Sequence, residues 1–158
     1  MLLDKPSQQS HGGTCKVWLY DVENGIDTWP DIANLSFLDE IVFSGENDWE
    51  EMVFTRWTTR PVENRVEENG SALYAFQLRG VAALTTSARR NILHEAERKN
   101  YILKYKDQNG LIKIVGTPDD PVSVIATSVN DGQKFGDGTK MEISIQATNK
   151  LPFAQYDF

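Results

Sequence analysis

The sequence predicts a mainly β fold of the α+β kind: an antiparallel sandwich or barrel of about eight strands with one flanking helix, about residues 85–100. Three observations predict it. The segment KMEISIQAT (140–148) alternates cleanly, with Met141, Ile143, Ile145 and Ala147 on one face and Glu142, Ser144 and Gln146 on the other. YILKYK (101–106) and LIKIVG (111–116) flank Asp107-Gln108-Asn109-Gly110 and read as a hairpin. Only TTSARRNILHEAERKN (85–100) carries an apolar stripe at helical spacing, Ala88, Ile92, Leu93 and Ala96. That stripe is narrow, so the helix must rest on a larger sheet.

The remaining elements follow in order. Residues 1–14 are polar, end in Gly12-Gly13 and read as a flexible N-terminal arm. A single β-rich domain then spans 15–148, and 149–158 form a C-terminal tail without a ladder pattern. CKVWLYDV (15–22) is the first strand; both of its faces are apolar, which implies cover on both sides. Ser36 to Phe43 and Glu51 to Thr59 are the next strands, and Pro61, lacking an amide donor, should end the ladder. VENRVEENG (62–70) is charged and reads as a surface loop or hairpin connection closed by Asn69-Gly70. The run from Ser71 is strand-like to at least Leu78, VSVIATS (122–128) is another strand, and 129–139 is a glycine-rich loop. In the helix, Thr85, Thr86 and Ser87 are candidate N-caps. Glu95 and Lys99 lie four apart, and Arg98 and Lys99 suit the negative end of the helix dipole.

A chain of 158 residues fits one domain, at about 100–200 residues per domain, and can bury about two-thirds of its unfolded surface. Its single cysteine allows no internal disulfide and no multi-cysteine zinc site. No apolar run reaches the length of a membrane helix, and MLLDKPSQQSHGG does not read as a secretion signal, so folding in a reducing cytoplasm is expected. Sixteen basic and 23 acidic residues give a net charge of −7. Residues 1–80 hold 6 basic and 14 acidic side chains (net −8), and residues 81–158 hold 10 and 9 (net +1). Such a balance disfavours tight binding to phosphate backbones. It suits a soluble surface, or a protein that shows different faces to different neighbours.

Catalytic patterns are missing from the sequence. It has neither a P-loop nor a dinucleotide GxGxxG, and Gly136-Asp137-Gly138 falls between strands, where glycine serves a turn. His11 and Cys15 could pair as a nucleophile, but nothing near them completes a site, and Cys15 reads as a small buried residue at a strand start. His94 lies on the charged flank of the helix. The acidic pairs Asp39-Glu40, Glu50-Glu51, Glu67-Glu68 and Asp119-Asp120 read as solvated turns, because strand neighbours point to opposite faces. No catalytic, cofactor-binding or metal-binding residue is therefore expected. Aromatic residues in loops and tail are candidates for a partner interface: Trp29, Trp49, Phe135, Phe153 and Tyr156. For Trp29 and Trp49 a role capping the ends of the core is an equal reading.

The order of motifs carries a resemblance. The pieces are an arm ending GGTCKVWLYDVENGID, the strand SALYAFQLRG, a helix, the hairpin YILKYKDQNGLIKIVGTPDDPV, a glycine-rich loop, an alternating strand and an aromatic tail. Over roughly residues 11–158 this layout resembles small virion structural proteins of tailed phages and prophages of gut and aquatic Bacteroidetes, of the tail-tube or tail-completion kind. Its most telling piece is DQNGLIKIVGTPDDP. The resemblance implies a β-sandwich or barrel flanked by a helix. It implies a non-enzymatic tail or neck protein, localised to the virion and assembled in the bacterial host cytoplasm. Its partners would be copies of itself in a homo-oligomeric ring, or other virion proteins, with DNA passing but not tightly held. No membrane, cofactor or small-molecule substrate is implied. The alternative from the residues is a ligand-binding β-barrel with an aromatic-lined pocket; an enzyme with an unfamiliar carboxylate site is a third reading.

Overall fold

Two sheets face each other across an apolar layer in the computed structural model, which describes residues 16–55, 58–83, 87–130 and 140–158. The expected arm at 1–14, with His11, and also Cys15, Trp57 and most of the loop at 129–139 lie outside these residues. The described strands are β1 (Lys16–Asp21), β2 (Ile26–Thr28), β3 (Ile32–Ala33), β4 (Ser36–Phe37), β5 (Val42–Phe43), β6 (Glu50–Met52), β7 (Arg60–Glu68) and β8 (Ser71–Ala83). After the helix α1 (Ser87–Ala96) come β9 (Tyr101–Lys106), β10 (Ile112–Val115), β11 (Ser123–Asn130), β12 (Lys140–Asn149) and β13 (Ala154–Gln155). The first sheet runs β3-β4-β13-β10-β9-β1-β6 and the second β11-β12-β8-β7. Pairing is antiparallel except at Gln155–Ser36, where β13 meets β4 in parallel. Both sheets are open, so the fold is a sandwich with one flanking helix and not a closed barrel.

Strand alternation builds the core. Val17, Leu19, Leu103, Tyr105 and Val115 project from the first sheet, and Phe76, Leu78, Val124, Ile143 and Ile145 from the second; all are buried. Leu93 and Ala96 of α1 join this layer, and the Glu97 carboxylate accepts the Ala126 N–H at 2.8 Å, which ties the helix end to β11. The helix ends before residue 100 because its last turn tightens, with Arg98 and Lys99 donating to the carbonyls of Glu95 and Ala96. Lys99 does not turn back to Glu95; its ammonium meets Asp21 at 2.8 Å, a bond that raises the lysine pKa.

The expected cover on both faces of the first strand is observed. Tyr20 is fully buried on the face opposite Val17 and Leu19, stacked on Phe43 at 3.8 Å. Chain 22–49 folds back over this outer face, and Phe37, Ile41, Ile102, Ile114, Ala154 and Tyr156 form a second core there.

Five sequence expectations change. Ser36 to Phe43 is not one strand but β4 and β5, separated by a turn that keeps Ile41 buried. The strand at 51–59 ends at Met52; beyond it the chain crosses to the second sheet, where Thr55 donates to the Val81 carbonyl at 2.6 Å. Pro61 does not end the ladder, and 62–68 is not a loop. Both belong to β7, and Pro61 pairs with Leu78 at the sheet edge, where a missing donor is tolerated. The segment 149–158 is not a tail outside the domain, because Ala154 pairs with Ile114 inside the first sheet.

Candidate interaction surface

Three of the four sheet faces are occupied: the two inner faces by the main core and the outer face of the first sheet by chain 22–49. The outer face of the second sheet has no such layer among the described residues. Cross-strand register defines its rows. Arg60, Arg79, Ser144 and Ile125 make one row, and Val62, Gln77, Gln146 and Ser123 the next. Asn64, Ala75 and Thr148 make the third, and Val66 pairs with Leu73 beyond them. Those last three rows contain no ionisable side chain, in a chain that is 25% charged. Val62, Ile125 and Val66 stand 37%, 40% and 45% exposed.

Ser144 was expected to point outward, and it does, yet it is fully buried. Gln77 and Gln146 explain this, since their side-chain amides donate to the Ser144 hydroxyl at 3.0 and 3.1 Å and close over it. Ser144, Gln77 and Gln146 thus form a neutral, hydrogen-bonded cluster among aliphatic side chains, with Arg79 beside Ser144 in its own row and Arg60, Glu142 and Glu68 further out on the face. One edge, β7, pairs only with β8 among the described residues. The other, β11, is partly capped by Glu97.

The aromatic side chains expected at an interface are mostly used inside the chain. Tyr156 is 2% exposed, and its hydroxyl oxygen accepts the Ile41 N–H at 3.2 Å. It is a core residue, because β13 carries it into the second core, and an interface role does not fit that burial. Trp29 is partly buried edge-on to Phe37 at 5.5 Å. Trp49 is partly buried edge-on to Phe43 at 5.1 Å. Phe153 backs the main core, its N–H donates to Glu63 Oε2 at 2.9 Å, and the Lys113 ammonium lies 4.4 Å from its ring. Phe135 lies outside the described residues. The signal for the sheet face was present in SALYAFQLRG and KMEISIQAT, whose outward positions include Leu73, Ala75, Gln77, Ser144 and Gln146. It was missed because aromatic loops look more like contact points than small neutral residues do.

Several titratable groups among the described residues pair with one another. No group of three or more His, Cys, Asp or Glu there is placed to hold a metal ion. His94 is exposed, beside Arg98 at 3.2 Å and Glu97 at 3.6 Å. The most unusual cation is Lys104, whose ammonium sits 4.9 Å from the Trp18 ring and 4.6 Å from the Trp49 ring. Desolvation lowers its pKa against the opposing fields of Asp48 and Glu40. At the β9–β10 turn, Asp107 accepts the N–H groups of Asn109 and Leu111, both at 2.9 Å, and meets Lys113 at 3.0 Å. Desolvation alone would raise this carboxyl; the Lys113 and Leu111 bonds outweigh it and hold the pKa low. No helix among the described residues is long and apolar enough to cross a membrane.

No protein-family model matches the sequence, and no curated protein matches it.

Proposed function

We propose that this chain is a non-enzymatic virion structural protein of the tail or neck, of the tail-tube, tail-completion or ring kind its sequence resembles, and that it works by self-association. The observation that carries the reading is the outer face of the second sheet, which no layer covers among the described residues and which has three adjoining rows without an ionisable side chain. Interface centres are depleted in charge, and three exposed aliphatic side chains around a neutral amide cluster fit that description. The occupant is a second copy of the chain. A net charge of −7 suits a component past which DNA moves without being held.

Size decides how much of the surface must take part. Four strands about 4.8 Å apart and roughly nine residues long give a flat footprint of about 570 Å². A standard interface buries about 800 Å² per partner. The face alone falls short, so the β7 edge beside it, unpaired among the described residues, must contribute.

Native mass spectrometry and light scattering test the reading. A discrete oligomer is expected, and Val66→Glu with Ile125→Glu is expected to reduce it to monomer while the circular dichroism stays unchanged, since both side chains are already exposed. A wild-type protein that stays monomeric at all concentrations would overturn it.

A further inference from the structure

We propose that two copies of this chain join edge to edge through β7, antiparallel about a two-fold axis at Asn64, so that their second sheets run on as one. This rests on the self-association reading and says where the contact lies; it does not depend on the virion role. Strand β7 is nine residues long and unpaired on its outer side among the described residues. Asn64 to Glu68 are exposed on both faces, so this half of the edge is open to a partner. The adjoining turn fixes which backbone groups are free. Asn69 and Gly70 make a two-residue turn, with φ of 51° and 79°, flanked by Glu68 and Ser71. In such a hairpin the flanking pair exchanges both backbone bonds, and every second pair repeats this. Val66, Asn64 and Val62 therefore bond to β8, while the backbone groups of Glu67, Arg65 and Glu63 point away from it. Pro61 falls on that free side, where a missing N–H is tolerated.

The order of side chains, Arg-Pro-Val-Glu-Asn-Arg-Val-Glu-Glu, selects the occupant. Charge on an edge strand ordinarily repels a second copy. Here the signs are placed so that apposition does the reverse. With the two Asn64 residues opposed, Glu63 faces Arg65 of the second copy, Arg60 faces Glu68, and Val62 faces Val66. Each contact occurs twice by symmetry, and opposed residues share a face, so all of them can touch. The same register brings the free backbone groups of Glu63 and Arg65 together and lets the Glu67 N–H donate to the Pro61 carbonyl. One step either way fails. Centring on Glu63 opposes Glu63 to itself; centring on Arg65 opposes Arg65 to itself and Glu63 to Glu67. Within one copy Arg65 meets Glu67 at 3.4 Å, with the side chains 60% and 72% exposed, so the guanidinium stays open to a second carboxylate. Exposed ion pairs add little strength, so the charges set the register, and the backbone bonds and valine pairs hold it. Pairing also joins the two outer faces into one of about 1,100 Å², above the roughly 800 Å² per partner of a standard interface.

Arg65→Glu and Glu63→Arg test the register, since neither side chain lies on the outer face. Each variant alone sets like charges opposite one another and is expected to weaken association about tenfold at low salt, as followed by light scattering. An equimolar mixture sets an acidic strand against a basic one and is expected to associate as the wild type does. Glu63 also accepts the Phe153 N–H, so if Glu63→Arg fails to fold, Arg60→Glu and Glu68→Arg make the same test. Amide hydrogen exchange supplies a second readout. Concentrating the wild-type protein is expected to slow exchange at Glu63, Arg65 and Glu67 and to leave Val62, Asn64 and Val66 unchanged. The β7 pairing is overturned, with self-association still standing, by an oligomer whose exchange at Glu63, Arg65 and Glu67 ignores concentration. The same holds if either variant alone associates like the wild type, or if the mixture associates no better than its components. A wild-type protein that stays monomeric at all concentrations overturns self-association itself, and the β7 pairing with it.

Discussion

Gly80 lies on the inner face of β8 opposite Ile143, and the Phe54 ring lies directly against its Cα. A Cβ there would fall within the ring's contact distance, and a buried ring wedged between two sheets cannot retreat. Gly80→Ala is therefore expected to destabilise the fold by about 1–3 kcal/mol, the usual cost of overpacking, as read from the urea midpoint. Three tyrosines set a second residue-level expectation. Burial raises Tyr20, Tyr101 and Tyr156, with nearby carboxylates adding to it. Each contributes stability that is complete below the unfolded value of about 10 and is lost as pH climbs through the folded values. Lys104 acts with the opposite sign. Its lowered folded pKa lets the unfolded chain hold the proton longer, so this group adds stability as pH rises toward about 10.5. The tyrosines outnumber it, so stability should fall above about pH 10, and Tyr101→Phe should make that fall shallower in denaturation curves taken across the alkaline range.

At the scale of elements, local chemistry made some parts of the sequence legible and long-range pairing hid others. Asn69 and Gly70 both have positive φ, 51° and 79°, the geometry an Asn-Gly hairpin turn demands, and the β9–β10 turn is fixed by Asp107 binding its own backbone. Such signals sit within four residues of each other. The strand character of 60–68 does not, because five of its nine residues are charged and only pairing with β8 makes it extended. Strand β13 has two residues and no pattern at all; it exists because β10 offers a free edge and Tyr156 fills the second core. The last residues should therefore matter as much as any central strand. Tyr156→Ala removes a ring that is 2% exposed together with the acceptor for the Ile41 N–H. A loss of about 3–5 kcal/mol is expected by chemical denaturation, the range for deleting a buried aromatic ring. A residue in a loose tail would lose almost nothing.

For the whole molecule, the division into an acidic first half and a near-neutral second half does not survive folding as a division in space. Strands β7 and β8 come largely from the first half and β11 and β12 from the second, yet they form one sheet, and the first sheet is mixed in the same way. Charge read along the chain therefore could not locate a face. The neutral outward positions of β8 and β12 were legible in each segment alone, but their alignment into rows with β7 and β11 comes only from register. This bears on how copies of the chain would hold together. A contact made by opposing charges weakens as salt shortens the Debye length from about 10 Å at 0.1 M to about 3 Å at 1 M. A contact centred on Val62, Val66, Leu73, Gln77 and Gln146 lies on rows without an ionisable side chain and has little charge to screen, and copies carrying −7 each repel one another least at high salt. The oligomer is accordingly expected to persist or tighten between 0.1 and about 1 M salt when its mass is followed by light scattering. Dissociation over that range would place the contact on the charged part of the face, at Arg60, Arg79 and Glu142, and not on its neutral rows.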